Sequence, residues 1–333
     1  MNDDGRDQKV IVNIEDSRRF SATVSPDKEW IAYTRFGYTA DGRRFVPRLF
    51  ALKISGGNEI PLTQWNPTYE PFYMNPVFSP FGDMIACEHS LHQEGNPDIV
   101  LLNVERIQDH IFVSSKAAIM NPLRMGNYSP KLFPDNKRVI YLSNFSPDDL
   151  LEVCVTDLSK SDQPTNALES LWGRFETRRL TRNADCVWWR RDTLAVEGTN
   201  ETAFFVWGHR LHQHNQVCSI SCKFEIDPFD IQTISENYEH ISGLNISPDG
   251  RKVVFDGDGQ LYIMNLDGGD LQQLTSDYSV KNRHPVFSPD GKRIAFIKSV
   301  NGKSDISLID RDGSDEHRIT ETRAESIAEI LWV

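Results

Sequence analysis

Asn245-Ile-Ser247-Pro248-Asp249-Gly250-Arg-Lys-Val-Val-Phe255 and Pro285-Val-Phe-Ser288-Pro289-Asp290-Gly291-Lys-Arg-Ile-Ala-Phe296 are two copies of one phrase. In each, a short apolar run meets Ser-Pro-Asp-Gly, and a basic pair leads into a second alternating run. That is the grammar of a β-hairpin. Pro presets φ at the second turn position, Ser and Asp bond the turn backbone, and Gly takes the residue that needs positive φ. Gly291 is therefore expected at a positive φ. Weaker copies run from Ala22 to Asp27 and on into Trp30–Tyr33, from Pro76 to Pro80 and on into Met84–Ala86, and from Lys131 to Asp135 and on into Arg138–Tyr141. A phrase that recurs in a fixed role signals a repeat architecture, and it governs how every single residue is read.

Each unit continues in the same way. A third strand (Gln260–Asn265, Asp305–Asp310) and a Gly-containing turn precede a fourth strand (Leu271–Thr275, His317–Thr320). Four short antiparallel strands per repeat make the blade of a β-propeller. The hairpin slot falls to Ser25, Ser79, Phe133, Trp189, Ser247 and Ser288, at separations of 54, 54, 56, 58 and 41 residues. Trp189 marks a degenerate copy, Cys186 to Asp192 leading into Thr193–Val196. The fold class is all-β, a propeller of six four-stranded blades with seven as the alternative, in a single domain over residues 1–333. Blades of about 40 residues are typical, so the extra residues of the early units belong to connections.

The Ser-Pro-Asp-Gly hairpin, with an apolar residue before it and Ile/Leu-Thr closing the unit, resembles the TolB-type β-propeller repeat. The same repeat occurs in the propeller domains of tricorn-like and prolyl-oligopeptidase-like peptidases. The resemblance runs from about Ser21 to Thr320 and is most specific over 245–320. It implies a propeller, while saying little about activity, because one fold hosts many functions. Peptidases with this repeat carry their nucleophile on a separate hydrolase domain, so this chain alone is not expected to be a peptidase. In TolB-like propellers a terminal strand completes the first blade, which assigns Ala328–Val333 as an inserted strand. Phe20–Val24 already reads as a first inner strand, and Lys9–Ile14 as a further N-terminal one.

With 48 acidic against 36 basic residues the formal charge is −12, which argues against nucleic-acid binding. No apolar run exceeds strand length, so no membrane span is expected. Met1-Asn-Asp-Asp-Gly-Arg-Asp7 is polar rather than a signal peptide. The five cysteines (87, 154, 186, 218, 222) are odd in number, and Cys218-Ser-Ile-Ser-Cys222 has neither redox nor zinc spacing. Buried free thiols in a reducing compartment follow. The expected location is cytoplasmic, or periplasmic if the numbering starts after a removed signal.

The hairpin turns lie on one face of a propeller and the second-to-third and fourth-to-first connections on the other, around the channel mouth. Asp27, Asp135, Asp249 and Asp290 are thus structural turn residues. The connections Gln64–Asn75 and Pro122–Tyr128 are rich in aromatics, and Trp, Tyr and Arg are favoured anchors of recognition surfaces. Histidines fall in related places: His89, His92, His209, His212, His214, His240 and His284. There is no Gly-x-Ser-x-Gly elbow, phosphate loop or His-Glu-x-x-His run. These features favour a non-catalytic recognition scaffold for a protein, peptide or carbohydrate, binding at the channel-mouth face through Trp65, Tyr73, Arg124, Tyr128, His212 and His284. No cofactor and no metal are expected. The rival is a propeller enzyme, a metal-assisted lyase or hydrolase on a carbohydrate, using the histidines of the same face.

Overall fold

The computed structural model describes residues 21–38, 44–64, 71–90, 96–119, 126–144, 151–162, 174–181, 194–198, 202–209, 214–223, 230–321, 327 and 330–332. It is all-β, with no helix among those residues, and its six four-stranded sheets are the blades of a β-propeller. The blades divide equally between two compact units, blades one to three within residues 11–183 and blades four to six within residues 184–333.

In the first unit, blade one is β1 (Ala22–Val24), β2 (Trp30–Tyr38), β3 (Arg44–Lys53) and β4 (Ile60–Pro61). Blade two is β5 (Phe72–Phe78), β6 (Met84–Ser90), β7 (Asp98–Ile107) and β8 (His110–Ile119). Blade three is β9 (Asn127–Leu132), β10 (Arg138–Asn144), β11 (Leu151–Asp162) and β12 (Arg174–Arg179). In the second unit, blade four is β13 (Leu194–Val196), β14 (Thr202–His209), β15 (His214–Ser221) and β16 (Ile231–Thr233). Blade five is β17 (Ile241–Ile246), β18 (Lys252–Gly257), β19 (Gln260–Asn265) and β20 (Gln272–Gln273); blade six is β21 (Lys281–Phe287), β22 (Arg293–Val300), β23 (Lys303–Asp310) and β24 (His317–Arg318). Every sheet is antiparallel and runs in sequence order, as a meander should.

The hairpin phrase closes as its chemistry dictates. The slot residue donates its backbone N–H to the carbonyl five residues on: Ser25 to Trp30, Ser79 to Met84, Phe133 to Arg138, Ser247 to Lys252 and Ser288 to Arg293, all at 2.8–3.0 Å. The Ser247 and Ser288 hydroxyls donate to Asp249 and Asp290 at 2.5 and 2.6 Å. Gly291 sits at φ 69°, Gly250 at 66° and Gly82 at 71°. Where glycine is missing, Lys28 and Asn136 hold the same left-handed position. The turn acids also tie neighbouring blades together. Arg106 bonds Asp27 of the preceding blade, and Arg311 reaches Asp249 at 3.1 Å. Each guanidinium lies over its own blade's pre-hairpin phenylalanine, Phe78 at 5.8 Å and Phe287 at 5.9 Å.

The Ile/Leu-Thr that ends a unit is a cap. Its hydroxyl accepts the N–H of the third strand: Thr63 from Leu49, Thr181 from Val153, Thr275 from Leu261 and Thr320 from Ile306, at 2.8–3.1 Å. Blade four uses Ser235, which accepts from Val217 at 2.8 Å. A two-residue edge strand can therefore end without leaving a buried donor unpaired.

The core lies between adjacent blades of each unit. Trp30, Leu49 and Ala51 of blade one pack on Phe78, Ile85 and Val100 of blade two, and Val254 and Ile263 of blade five pack on Phe287, Ile294 and Phe296 of blade six. Second strands are covered on both faces, which is why Val253–Phe255 and Ile294–Ile297 are runs of consecutive apolar residues. Cys87, Cys154, Cys218 and Cys222 are buried free thiols; Cys186 lies outside the described residues. The ordinary cysteine pKa is raised by burial in Cys87, Cys154 and Cys218, to about 11 in the last.

Two expectations are corrected. The first strand of blade four is Leu194–Val196, so the hairpin slot there belongs to Glu197 rather than Trp189. Glu197 donates to Thr202 O at 3.1 Å, the same five-residue closure. Among the described residues of the terminal segment, Ile330–Trp332 lie in no strand, and blade one is complete with β1 as its own first strand. Trp332 instead places its ring under the Arg293 guanidinium at 5.8 Å. Residues 9–14, 189, 328, 329 and 333 lie outside the described residues.

Candidate functional site

In blades two, three, five and six the first strand is interrupted at the end away from its hairpin. Pairing shifts between Met74 and Val77 in β5, between Tyr128 and Lys131 in β9, between Ile241 and Leu244 in β17, and between Arg283 and Val286 in β21. The extra residues are Asn75-Pro76, Ser129-Pro130, Ser242-Gly243 and His284-Pro285. Asn75, Ser129 and His284 each adopt φ of 52°. A left-handed non-glycine residue costs about 1–3 kcal/mol and persists only where its surroundings determine it. A bulge also releases backbone N–H groups from the ladder, and these need acceptors.

Buried side chains supply them. Glu88 takes the Ser129 N–H at 2.9 Å and the Asn75 side-chain amide at 2.5 Å on one oxygen. Asn75 N–H donates to Ser21 Oγ at 3.1 Å, and Ser21 shares a 2.8 Å hydrogen bond with Thr34. Asp256 accepts the N–H groups of Ser242 and Gly243 at 2.6 and 2.8 Å, and the Ser242 hydroxyl on its other oxygen. Thr34, Glu88 and Asp256 occupy one register, the ninth position after the hairpin serine. Glu88 and Asp256 are 6% and 2% exposed. Burial pushes the Asp256 carboxyl above the ordinary range, while the Ser242 hydroxyl and the His284 charge pull it back. In blade three a further buried carboxylate, Glu152, accepts from Arg179 and from the Thr181 hydroxyl, both at 2.6 Å. Braced bulges of this kind hold the ends of the first strands rigid and aim the residues there.

Three of the six candidate residues are described, and all three lie on these bulged segments. Tyr73 is buried at 6% exposure, its ring tilted against His89 at 4.7 Å, and burial pushes its hydroxyl up to about 12. Tyr128 is half-buried and folds back over Gly126: a Cβ there would stand 2.5 Å from the Tyr128 hydroxyl. His284 is half-buried in its bulge, within electrostatic reach of Asp256. Tyr73 and Tyr128 share one unit, and His284 belongs to the other. Trp65, Arg124 and His212 lie outside the described residues. Among the described residues no three His, Cys, Asp or Glu side chains are grouped to hold a metal ion, and no helix is long and apolar enough to cross a membrane.

Sequence reasoning missed Glu88, Asp256 and Glu152. The signal for the first two was a carboxylate at a fixed position inside an otherwise apolar second strand. A second missed signal was the residue before Pro, four places ahead of the hairpin slot, in Asn75, Ser129 and His284.

No family model matches the sequence. Over 90 residues the chain is 31% identical to dipeptidyl-peptidase 5 of Porphyromonas endodontalis, a match that takes in 24% of this chain and 13% of the peptidase. Prolyl oligopeptidase B of Galerina marginata superposes with a TM-score of 0.60 at 10% identity, over 91% of this chain and 42% of that one. The chain shares the β-propeller fold. TolB from Agrobacterium tumefaciens superposes at a TM-score of 0.46 and 14% identity, over 90% of this propeller and 80% of that chain. At such identities the likeness concerns fold, and the propeller spans less than half the length of either peptidase.

Proposed function

We propose that this propeller is a recognition scaffold without catalysis of its own. It binds a protein, peptide or carbohydrate at the bulged ends of its blades, using Trp65, Tyr73, Arg124, Tyr128, His212 and His284. The observation that carries this reading is the bracing of the bulges. Strained left-handed residues are held there by buried carboxylates, and strain of this kind concentrates where a protein meets its ligands. A rigid platform lowers the ordering cost of binding. Tyr128 in one unit and His284 in the other keep part of their surface, while Tyr73 is buried.

The test is a peptide and oligosaccharide array probed with the purified protein and with the Tyr128→Ala and His284→Asn variants. Asparagine tolerates the left-handed backbone, so His284→Asn removes the imidazole and keeps the bulge. A ligand retained by the parent and weakened at least about tenfold (about 1.4 kcal/mol) in the variants, with unchanged melting, supports the reading. Equal binding by parent and variants overturns it, as does turnover of an array carbohydrate.

A further inference from the structure

One cross-strand pair recurs in every blade, between the tenth residue after the hairpin slot and its partner on the third strand. In five blades that partner is an acid or an amide: Asp98, Glu152, Gln216, Gln260 and Asp305. In blade one it is Arg48, and it stands opposite a second arginine, Arg35. Like charges directly opposite each other on a sheet are destabilising, so blade one breaks the rule of its siblings at a cost.

The other blades show what the position does. Its side chain accepts the hydroxyl of the capping threonine: Glu152 from Thr181 at 2.6 Å, Gln260 from Thr275 at 3.0 Å and Asp305 from Thr320 at 3.1 Å. A fourth-strand side chain completes the frame. Arg179 donates Nε to Thr181 O at 2.9 Å and Nη2 to Glu152 at 2.6 Å, and Arg318 pairs with Asp305 at 3.5 Å. In blade one Arg48 itself caps the carbonyl, giving Nε and Nη2 to Thr63 O at 3.2 and 2.6 Å. The guanidinium of the frame is kept and its carboxylate is gone. Burial lowers the Arg48 pKa from its ordinary value, and no neighbouring acid raises it back.

The two arginines are held together by an aromatic ring. Each guanidinium carbon lies 5.5 Å from the centre of Phe50, which stacks on Tyr33 at 6.2 Å. Among the described residues Glu59 alone forms an ion pair with either arginine, and it is engaged by Arg35 and by the Tyr33 hydroxyl. Two guanidinium groups thus share one carboxylate. The Arg35 side chain is 42% exposed, so a solute can reach the pair.

We propose that Arg35 and Arg48 bind the carboxylate of a ligand, an acidic side chain or the C-terminus of a peptide, in the role that Glu152 and Asp305 fill in their own blades. Guanidinium forks match carboxylate geometry and form strong charge-assisted hydrogen bonds. Phe50 holds both forks through cation–π contact before any ligand arrives, which lowers the ordering cost of binding. The site shares no residue with the six at the bulged ends, so either reading can fail alone.

The test is calorimetric titration of the full chain with acetyl-Gly-Asp-amide, which offers a side-chain carboxylate, and acetyl-Gly-Gly, which offers a terminal one. Acetyl-Gly-Asn-amide is the uncharged control and inorganic phosphate the competing anion. The parent is compared with Arg48→Gln and Arg35→Gln, with melting curves to verify folding. Arg48→Gln installs the side chain that blades four and five carry, so it should melt no lower than the parent; if it fails to fold, Arg35→Gln decides. Saturable binding of a carboxylate probe, weakened at least about tenfold in each folded variant, is the expected result. Binding of the first probe alone assigns a side chain, and of the second alone a C-terminus; either supports the site. Absence of saturation below about 10 mM, binding unchanged in a folded variant, or binding of phosphate without either carboxylate overturns it.

Discussion

His89 makes folding of blade two sensitive to mild acid. It lies at 4% exposure on β6, paired across to Tyr73 and Asp98, with the Tyr73 ring 4.7 Å away. Burial holds its imidazole neutral, and the Lys116 charge adds to the effect, so its pKa falls from 6.5 to about 4. A base with a depressed folded pKa is protonated more readily in the unfolded chain. Its contribution is therefore fully present above the unfolded value and is lost as pH falls through the folded one. At about 1.4 kcal/mol per pH unit, the fall from pH 6.5 to about 4 removes about 3 kcal/mol. Urea unfolding of the parent and of His89→Phe, followed by tryptophan fluorescence at pH 7, 6, 5 and 4, isolates the term, because other titrating groups are common to both. The parent should lose about 3 kcal/mol more than the variant over that range. Equal pH slopes would show that His89 titrates like a solvated imidazole and would refute its placement against Tyr73.

Gly291→Val places a β-branched residue at φ 69° with its Cβ 3.4 Å from Pro248, and should cost about 1–3 kcal/mol in chemical denaturation; a neutral result would remove the hairpin argument. Glu88→Ala strands the Ser129 N–H and the Asn75 amide and should cost about 1–3 kcal/mol, whereas Glu88→Gln keeps an acceptor and should cost less by the same assay. Arg311→Ala breaks a pair whose partners are 30% and 41% exposed, so the loss should stay below about 1 kcal/mol and shrink in salt. Asp249 is held below the ordinary carboxylate range by the Ser247 hydroxyl and then by Arg311. Its contribution is present above the ordinary value near pH 3.8 and disappears as pH falls through the lowered one, a window acid titration of the melting temperature separates from that of His89.

The propeller was legible because Ser-Pro-Asp-Gly states its turn chemistry locally, and five slots could be numbered from residues alone. Blade four escaped because its turn keeps only the backbone closure. Glu197 makes the same N–H to carbonyl bond as Ser25 or Ser288 without their side chains, so an aromatic at 189 drew the eye eight residues too early. The terminal strand was expected from the TolB-like resemblance, whereas the described Ile330–Trp332 lie in no strand and the Trp332 ring rests under the Arg293 guanidinium. Tyr128 and His284 were chosen for residue type and position. Their common setting depends on carboxylates in other strands: Ser129, beside Tyr128, bonds Glu88 across a blade boundary, and His284 lies within electrostatic reach of Asp256 of the preceding blade. No single stretch of sequence spells such a pairing.

The central claim is that ligands meet this propeller at its bulged ends. Hydrogen–deuterium exchange of the full chain, with and without the tightest array ligand, tests it most directly. The account predicts slowed exchange confined to segments around 72–76, 126–130 and 282–286, with the hairpin turns at 25–28, 79–82 and 288–291 unchanged. Protection at the hairpin turns, with none at the bulges, would contradict it.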